Sequence, residues 1–427
     1  MLSPRHPFCF LIRAMKPART TRSIACLLIL SALSAASYGL GFRIADQGAE
    51  ATARGDAFAA TADDPSAIYY NPAGITQLEG TRALLGAYSI TLKSRVSLDT
   101  PAANNHFSTI NTDPQTVPTF YATWKGKDSP IALGLGIYAP YGFAVEYPDD
   151  TPFRTVARKG SIEYLTLNPV LAWKITDTLS VAAGPTISYG KAELDRGIFA
   201  VGDNFQFRGD GMAYGFDAGI MWNPYEMHHF GLTYRSASRI NFDGHATVRT
   251  EPFTVPTAFG PVSIPGIQSR NDANAEFNLP QTLTFGYSFR PAQDWNFEFD
   301  LDWTDWHTLK SVTLHQPSGD TSLPFNWQSS FLCEFGVTKK FAHNFHASAG
   351  YCYSERSVPN DSFNPGIPDS TRHVFSVGFG QGYDRFNWTL AYQYTYGPAR
   401  TIAQGTIADG VYRFDSSALT LSLGYNF

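Results

Sequence analysis

The chain has 427 residues, of which 43% are hydrophobic, 15% aromatic and only 16% charged, with 32 basic against 37 acidic side chains. An average protein carries roughly 25% charged residues, so this composition excludes a disordered chain, a coiled coil and a polybasic nucleic-acid binder. Past residue 40 no stretch reaches the ~20 apolar residues of a spanning helix, which excludes a helical membrane bundle.

The first segment is a targeting signal. Arg13, Lys16, Arg19 and Arg22 precede the apolar run Ile24 to Leu30, and the small residues Ser34, Ala35 and Ala36 follow. Basic, apolar and small in that order is a secretory signal peptide. Residues 1–36 are assigned to it, with Met15 as an alternative start and cleavage expected after Ala36. Removing them takes away five basic residues and no acid, so the net charge falls from −5 to −10. A mature chain that negative has no use for nucleic acid. Of four cysteines, Cys333 and Cys352 remain. They sit on opposite faces of strand patterns and are expected to stay unpaired.

Residues 37–80 do not follow a strand pattern. Gly41-Phe42-Arg43-Ile44 leads into an alanine- and glycine-rich stretch and then into Tyr69-Tyr70-Asn71-Pro72-Ala73-Gly74-Ile75. Small residues favour close packing in a confined space, and this segment is expected to fold as a plug.

Residues 81–427 are written with period two. Ile131, Leu133, Leu135 and Ile137 alternate with Ala132, Gly134 and Gly136; Trp295, Phe297, Phe299, Leu301 and Trp303 alternate with Asn296, Glu298, Asp300 and Asp302; Leu419, Leu421, Leu423, Tyr425 and Phe427 alternate with small or polar residues. Segments of nine to eleven residues with aromatic ends fit tilted membrane strands. About fourteen are predicted: 83–96, 115–125, 131–143, 162–175, 179–193, 212–222, 229–242, 281–290, 295–310, 329–339, 345–356, 373–380, 386–396 and 415–427. In lipid, a sheet satisfies its backbone only by closing. The fold class is therefore all-β, a transmembrane antiparallel barrel with an N-terminal hatch in its lumen. Tight connections such as 176–178 and 291–294 are expected to be periplasmic. Long ones, including the proline-rich 243–280, are expected to be extracellular loops.

Catalytic signatures are missing. The sequence has no Gly-x-Ser-x-Gly, no His-Glu-x-x-His and no phosphate-binding Gly-Lys-Ser/Thr loop. No enzyme, cofactor or metal is expected. His228 and His229 read as a surface pair. Glu298, Asp300 and Asp302 read as a polar interior face paired with lumen arginines, with a cation site as the alternative.

Several short motifs, in order along the mature chain, resemble the FadL/TodX family of outer-membrane transporters. They are Gly41-Phe42, Ala62-Asp63-Asp64, Asn71-Pro72-Ala73, Gly215 to Ile220, Leu232 to Ser236, Phe277-Asn278-Leu279-Pro280, Ser318-Gly319-Asp320-Thr321 and Ile367-Pro368-Asp369. The resemblance implies passive uptake of long-chain fatty acids or similar hydrophobic compounds by a monomer in the outer membrane of a Gram-negative-type bacterium, amid its lipid and lipopolysaccharide. It implies a hatch motif at Asn71, Pro72 and Ala73, ligand-binding roles for Arg196 and Phe42, and a lateral opening at a kink in the third strand, matched here by Pro140, Tyr141 and Gly142. The chemistry agrees at that kink: Pro140 has no amide hydrogen for the ladder, and Gly142 lets the backbone turn away. The region after Thr321 lacks the second basic residue of well-known members. That leaves a neutral aromatic hydrocarbon as an alternative cargo and an aqueous porin as an alternative function.

Overall fold

The computed structural model describes residues 41–99, 105–111, 113–258 and 260–427, except the side chain of Thr257. The signal segment 1–36 lies outside the described residues. Fourteen antiparallel strands close into a barrel. They are β1 (Gly80–Leu98), β2 (Gln115–Lys125), β3 (Ile131–Tyr138), β4 (Lys159–Lys174), β5 (Leu179–Gly197), β6 (Asn204–Tyr225) and β7 (His228–Arg235). The second half comprises β8 (Thr282–Ala292), β9 (Trp295–Thr304), β10 (Ser330–Lys340), β11 (Phe345–Ser354), β12 (Arg372–Tyr383), β13 (Phe386–Tyr396) and β14 (Gly410–Asn426). β14 returns to β1 in unbroken register from Arg82↔Asn426 to Leu98↔Gly410. Closure removes the sheet edges that hydrocarbon could not solvate.

Side-chain alternation explains the orientation of each strand. On β14, Leu419, Leu421 and Leu423 stand outward and exposed, while Thr420 and Ser422 are buried inward. Trp124, Trp173, Trp222, Trp295 and Tyr425 ring the end of the barrel that carries the tight turns. Tyr392, Tyr394 and Tyr396 mark the opposite side of the apolar band. Short turns on one side and long connections on the other place the periplasm and the exterior. Cys333 and Cys352 are free thiols facing opposite sides.

Two expectations need correction. The stretch 229–242 is not one strand: it breaks at Ser236 and Ala237, and a second strand, Ser238–Arg249, pairs with Gln268–Leu279. Most of the expected 243–280 loop is therefore an upright hairpin above the membrane, tipped by a smaller one formed from Phe253–Thr257 and Gly260–Ile264. Its inward residues, Ala273, Ala275, Phe277 and Leu279, are apolar, but its outward face is polar because it stands in water. That removes the lipid-facing signature by which membrane strands are recognised.

Residues 41–79 fill the lumen. They form two single-turn helices, Ala49–Thr52 and Ala67–Tyr70, and a 3₁₀ turn, Pro72–Gln77. Their contacts reach wall strands all round the circle: Ser422 on β14, Ser376 on β12, Asp300 on β9, Thr233 on β7, Ser180 on β5 and Tyr121 on β2. Alanines 49, 51, 57, 60, 62, 67 and 73 are all fully enclosed. The wall makes room with glycine. A β-carbon at Gly350 would sit 2.1 Å from the Arg54 carbonyl carbon, and one at Gly231 would sit 2.1 Å from the Ala59 oxygen.

Candidate functional site: a cavity, its plug and a break in the wall

One strand face fastens the plug. Successive inward residues of β9 each take a different part of it. Asp302 receives both terminal nitrogens of Arg43, at 2.6 and 2.8 Å. Asp300 accepts the amides of Phe58 (2.8 Å) and Ala59 (2.7 Å). Glu298 accepts the amides of Ala60 (2.7 Å) and Thr61 (3.1 Å), the Thr61 hydroxyl, and Arg54 at 2.7 Å. The carboxylate row is thus occupied by arginines and backbone amides. No group of His, Cys, Asp and Glu among the described residues is arranged to hold a metal.

The Asn71-Pro72-Ala73 motif acts as a joint. Asn71 is fully buried; its side-chain nitrogen donates to the carbonyls of Ala59 (2.8 Å) and Ile220 (3.0 Å), and its oxygen accepts the Ala73 amide (3.2 Å). Pro72 occupies the first turn of the 3₁₀ segment, where its missing amide costs nothing. The motif therefore ties the plug to itself and to β6.

β3 stops at Tyr138, and its course resumes as Gly142–Glu146, paired only to β4. The break spans Ala139, Pro140 and Tyr141. β2 pairs with β3 only from Phe120↔Ile137 to Lys125↔Ala132. Residues 115–119 of β2 bond to β1 alone. Between them and Gly142–Glu146 the described ladder is open. Pro118 lies on that unpaired edge, where a strand tolerates proline. This is the position a reading of the sequence missed, and proline inside an alternating run was the available signal.

The first residues of the plug take up the backbone that the break sets free. Ile44 N donates to the Pro140 carbonyl (2.9 Å), and Gly142 N donates to the Phe42 carbonyl (3.0 Å). Gln47 closes the other end: its side-chain nitrogen donates to the Ala139 carbonyl (2.9 Å) and its oxygen accepts the Ala139 amide (3.2 Å). Plug and break are therefore one hydrogen-bonded unit.

Beside this unit lies a cavity of about 690 Å³, within the ~300–1,000 Å³ of small-molecule sites. Its walls include Phe42, Tyr141, Gly142 and Phe143 from the lumen side, and Leu165 and Tyr189, which are exposed on the outer surface. Phe42 is buried at the centre of an aromatic nest. Its ring centroid is 4.8 Å from Trp306, 5.6 Å from Trp327, 5.8 Å from Phe143 and 5.9 Å from both Tyr141 and Phe277. Gly41 (φ +60°) brings the chain in beneath Trp327, which a β-carbon would meet at 2.6 Å.

Charge in the cavity is sparse. Arg43 is committed to Asp302. The other lining cations are Lys191, whose amine lies 5.9 Å from the Tyr189 ring, and Arg372, 3.6 Å from Asp369. Arg196 is not among the lining residues. Its guanidinium stacks 5.2 Å over Phe205, which packs against the apolar cluster that includes Phe42. The extracellular segment 147–158 folds over the outer face of β5. There Arg158 pairs with Asp195, and Arg154 donates to Asp149 at 2.8 Å. Partial burial opposes ionisation of Asp149, but Arg154 and the Gly202 amide hold its carboxyl below the ordinary value. His228 and His229 are not a surface pair: both lie at the start of β7, where the ring of His228 meets the Tyr287 hydroxyl at 2.8 Å and His229 turns inward.

Residues 29–427 match the family described as outer membrane protein transport protein (OMPP1/FadL/TodX). A long-chain fatty acid transport protein of Escherichia coli O6:H1 is 22% identical, over 94% of this chain and 97% of its own. A Pseudomonas aeruginosa FadL homologue of known crystal structure superposes with a TM-score of 0.78 at 18% identity, covering 91% of this chain and 100% of that one. The Pseudomonas putida toluene transporter TodX gives a TM-score of 0.71 at 16% identity, covering 92% and 100%.

Proposed function

The chain belongs to the outer membrane protein transport family (OMPP1/FadL/TodX), and on that premise we propose that this outer-membrane barrel takes up long-chain fatty acids or similar hydrophobic compounds and passes them sideways through the opening at Pro140, Tyr141 and Gly142. The observation that carries this reading is the cavity, lined at once by plug residues such as Phe42 and by lipid-facing residues such as Leu165 and Tyr189.

The thermodynamics require such a route. Each CH₂ gains about 0.8 kcal/mol on leaving water, so a sixteen-carbon chain is worth on the order of 10 kcal/mol. A water-filled pore would forfeit that gain during passage. An apolar pocket that opens into the bilayer keeps it. Transport is then passive, and the gate is the shared unit of residues 42–47 and the β3 break. Cargo that displaces Phe42 from its nest loosens the Gly142–Phe42 bond in the same motion. Arg196, stacked on Phe205 at the edge of the apolar cluster, is a cation that an entering carboxylate could meet. Lys191 and Arg372 are those available to a carboxylate within the cavity.

A second reading, a neutral aromatic hydrocarbon, draws on the neutralisation of Arg43 by Asp302 and the ring-rich surroundings of Phe42. Uptake of labelled oleate and of labelled toluene, by cells with and without this chain, separates the two. Import of either above the background of cells lacking the chain is expected. Import of neither, with large steady ion currents from the purified protein, would replace the proposal with an aqueous porin.

A further inference from the structure

At the height where the outer lipid headgroups lie, the barrel carries a basic patch with too few acids. Lys93 and Arg95 on β1 and Arg413 on β14 are exposed, and all three stand on the outward face: the intervening Ser94, Val96, Tyr412 and Phe414 are buried inward. The ladder places Lys93 beside Asp415 and Arg95 beside Arg413. Directly opposed like charges destabilise an antiparallel pair. The single carboxylate on this face, Asp415, is taken by Arg95. Lys93 and Arg413 have no anionic partner among the described residues. By contrast, Lys159 and Arg208 share Glu193 at 3.2 and 2.9 Å, and Arg239 meets Glu276 at 2.8 Å.

The depth of the patch follows from the register. The lower aromatic ring passes through Tyr425, which pairs with Ala83. From Ala83 to Lys93 the strand climbs ten residues, about 25 Å at a tilt of roughly 40°. That is the height of the apolar band of an outer-membrane barrel. Tyr396, at the upper aromatic level, faces Asp415 across the β13–β14 ladder. Below the cations the outward face passes Thr91 and Ser417 and then becomes an exposed apolar wall at Leu419, Leu421 and Leu423, with Leu85 near the lower ring. Phosphate above and acyl chains below is the chemistry that such a surface fits. Guanidinium groups suit phosphate oxygens because they bind them in pairs.

We propose that Lys93, Arg95 and Arg413 form a binding site for the phosphate groups of the phosphorylated glycolipid of the outer leaflet. None of the three cations lines the transport cavity, although Asp415 does; the site holds a lipid on β1, one strand away from the unpaired edge of β2.

The test is native mass spectrometry of the full barrel, released from detergent after titration with bis-phosphorylated lipid A or with lipid A stripped of its phosphates. Wild type is expected to retain the phosphorylated form only. Removing two headgroup contacts in K93A/R413A should weaken retention about thirtyfold. Asp415→Asn frees Arg95 and should tighten it, while the matched-pair control R239A/E276A should leave it unchanged. Folding of each variant is read from its heat-modifiable gel mobility. Should the double variant fail to fold, wild-type retention must still fall with ionic strength. Equal retention of the dephosphorylated lipid, indifference to K93A/R413A, or insensitivity to salt would overturn the assignment. So would displacement by millimolar inorganic phosphate, which would mark a free-anion site.

Discussion

Glu298→Ala strikes the plug where it is held most tightly. The carboxylate is 4% exposed and binds Arg54, the Thr61 hydroxyl and the amides of Ala60 and Thr61. Truncation strands a buried guanidinium, a loss of about 3–5 kcal/mol. Each orphaned amide adds about 1–3 kcal/mol if no water reaches it. Taking the ion pair alone, the balance between seated and released plug moves by roughly two to nearly four powers of ten. Conductance in planar bilayers reads this directly: wild type should be quiet and E298A should open repeatedly. A buried pair replaced by apolar residues of similar volume is often neutral, so R54M/E298L should be quiet again. An E298A protein as silent as wild type, or a double variant that leaks as much as the single one, would refute the claim that this contact seats the plug.

Gly350→Ala drives a methyl group into the backbone of Arg54 and Gly55; the expected result is leakage resembling E298A with a lower unfolding temperature, measured by heat-modifiable gel mobility. Phe42→Ala removes the centre of the aromatic nest, whose pairs are worth about 0.5–1.5 kcal/mol each beyond their area; oleate binding, followed by the fluorescence of the adjoining Trp306 and Trp327, should weaken at least tenfold while the barrel stays closed. Gln47→Leu deprives Ala139 of both its bonds to the plug; hydrogen exchange at residues 139–142 should accelerate, and unchanged protection would refute the latch. Because the Asp149 carboxyl is held below its ordinary value in the folded loop, it stabilises segment 147–158 throughout neutral pH and loses that effect only as pH falls below about 4. Amide exchange in the segment should show that acid dependence, and Asp149→Asn should abolish it; a loss already near pH 6 would exclude the carboxylate.

Much of the fold was legible along the chain. Strands read as 131–143, 295–310 and 386–396 carry their own evidence, since one face must suit hydrocarbon and the other a packed or polar lumen, although the first two end at Tyr138 and Thr304. The kink was legible too, because proline has no amide and glycine no β-carbon. The upright hairpin 238–279 was not, because above the membrane the outward face turns polar and the pattern no longer distinguishes strand from loop. Pro118 was visible but uninterpretable until β2 was seen to lack a partner beside it.

Period-two chemistry is local, so the sequence by itself determined the outer-membrane barrel, its strand number and the presence of a small-residue plug. Which charge meets which is not local. Arg43 and Asp302 are 259 residues apart, and only closure of the barrel brings them together. The same closure turned Arg196 onto Phe205 instead of into the cavity, gave Glu298, Asp300 and Asp302 to the plug, and set Arg95 against Arg413. Tertiary structure decided these partnerships because each depends on strands meeting across a ring, a distance that no spacing along the chain encodes.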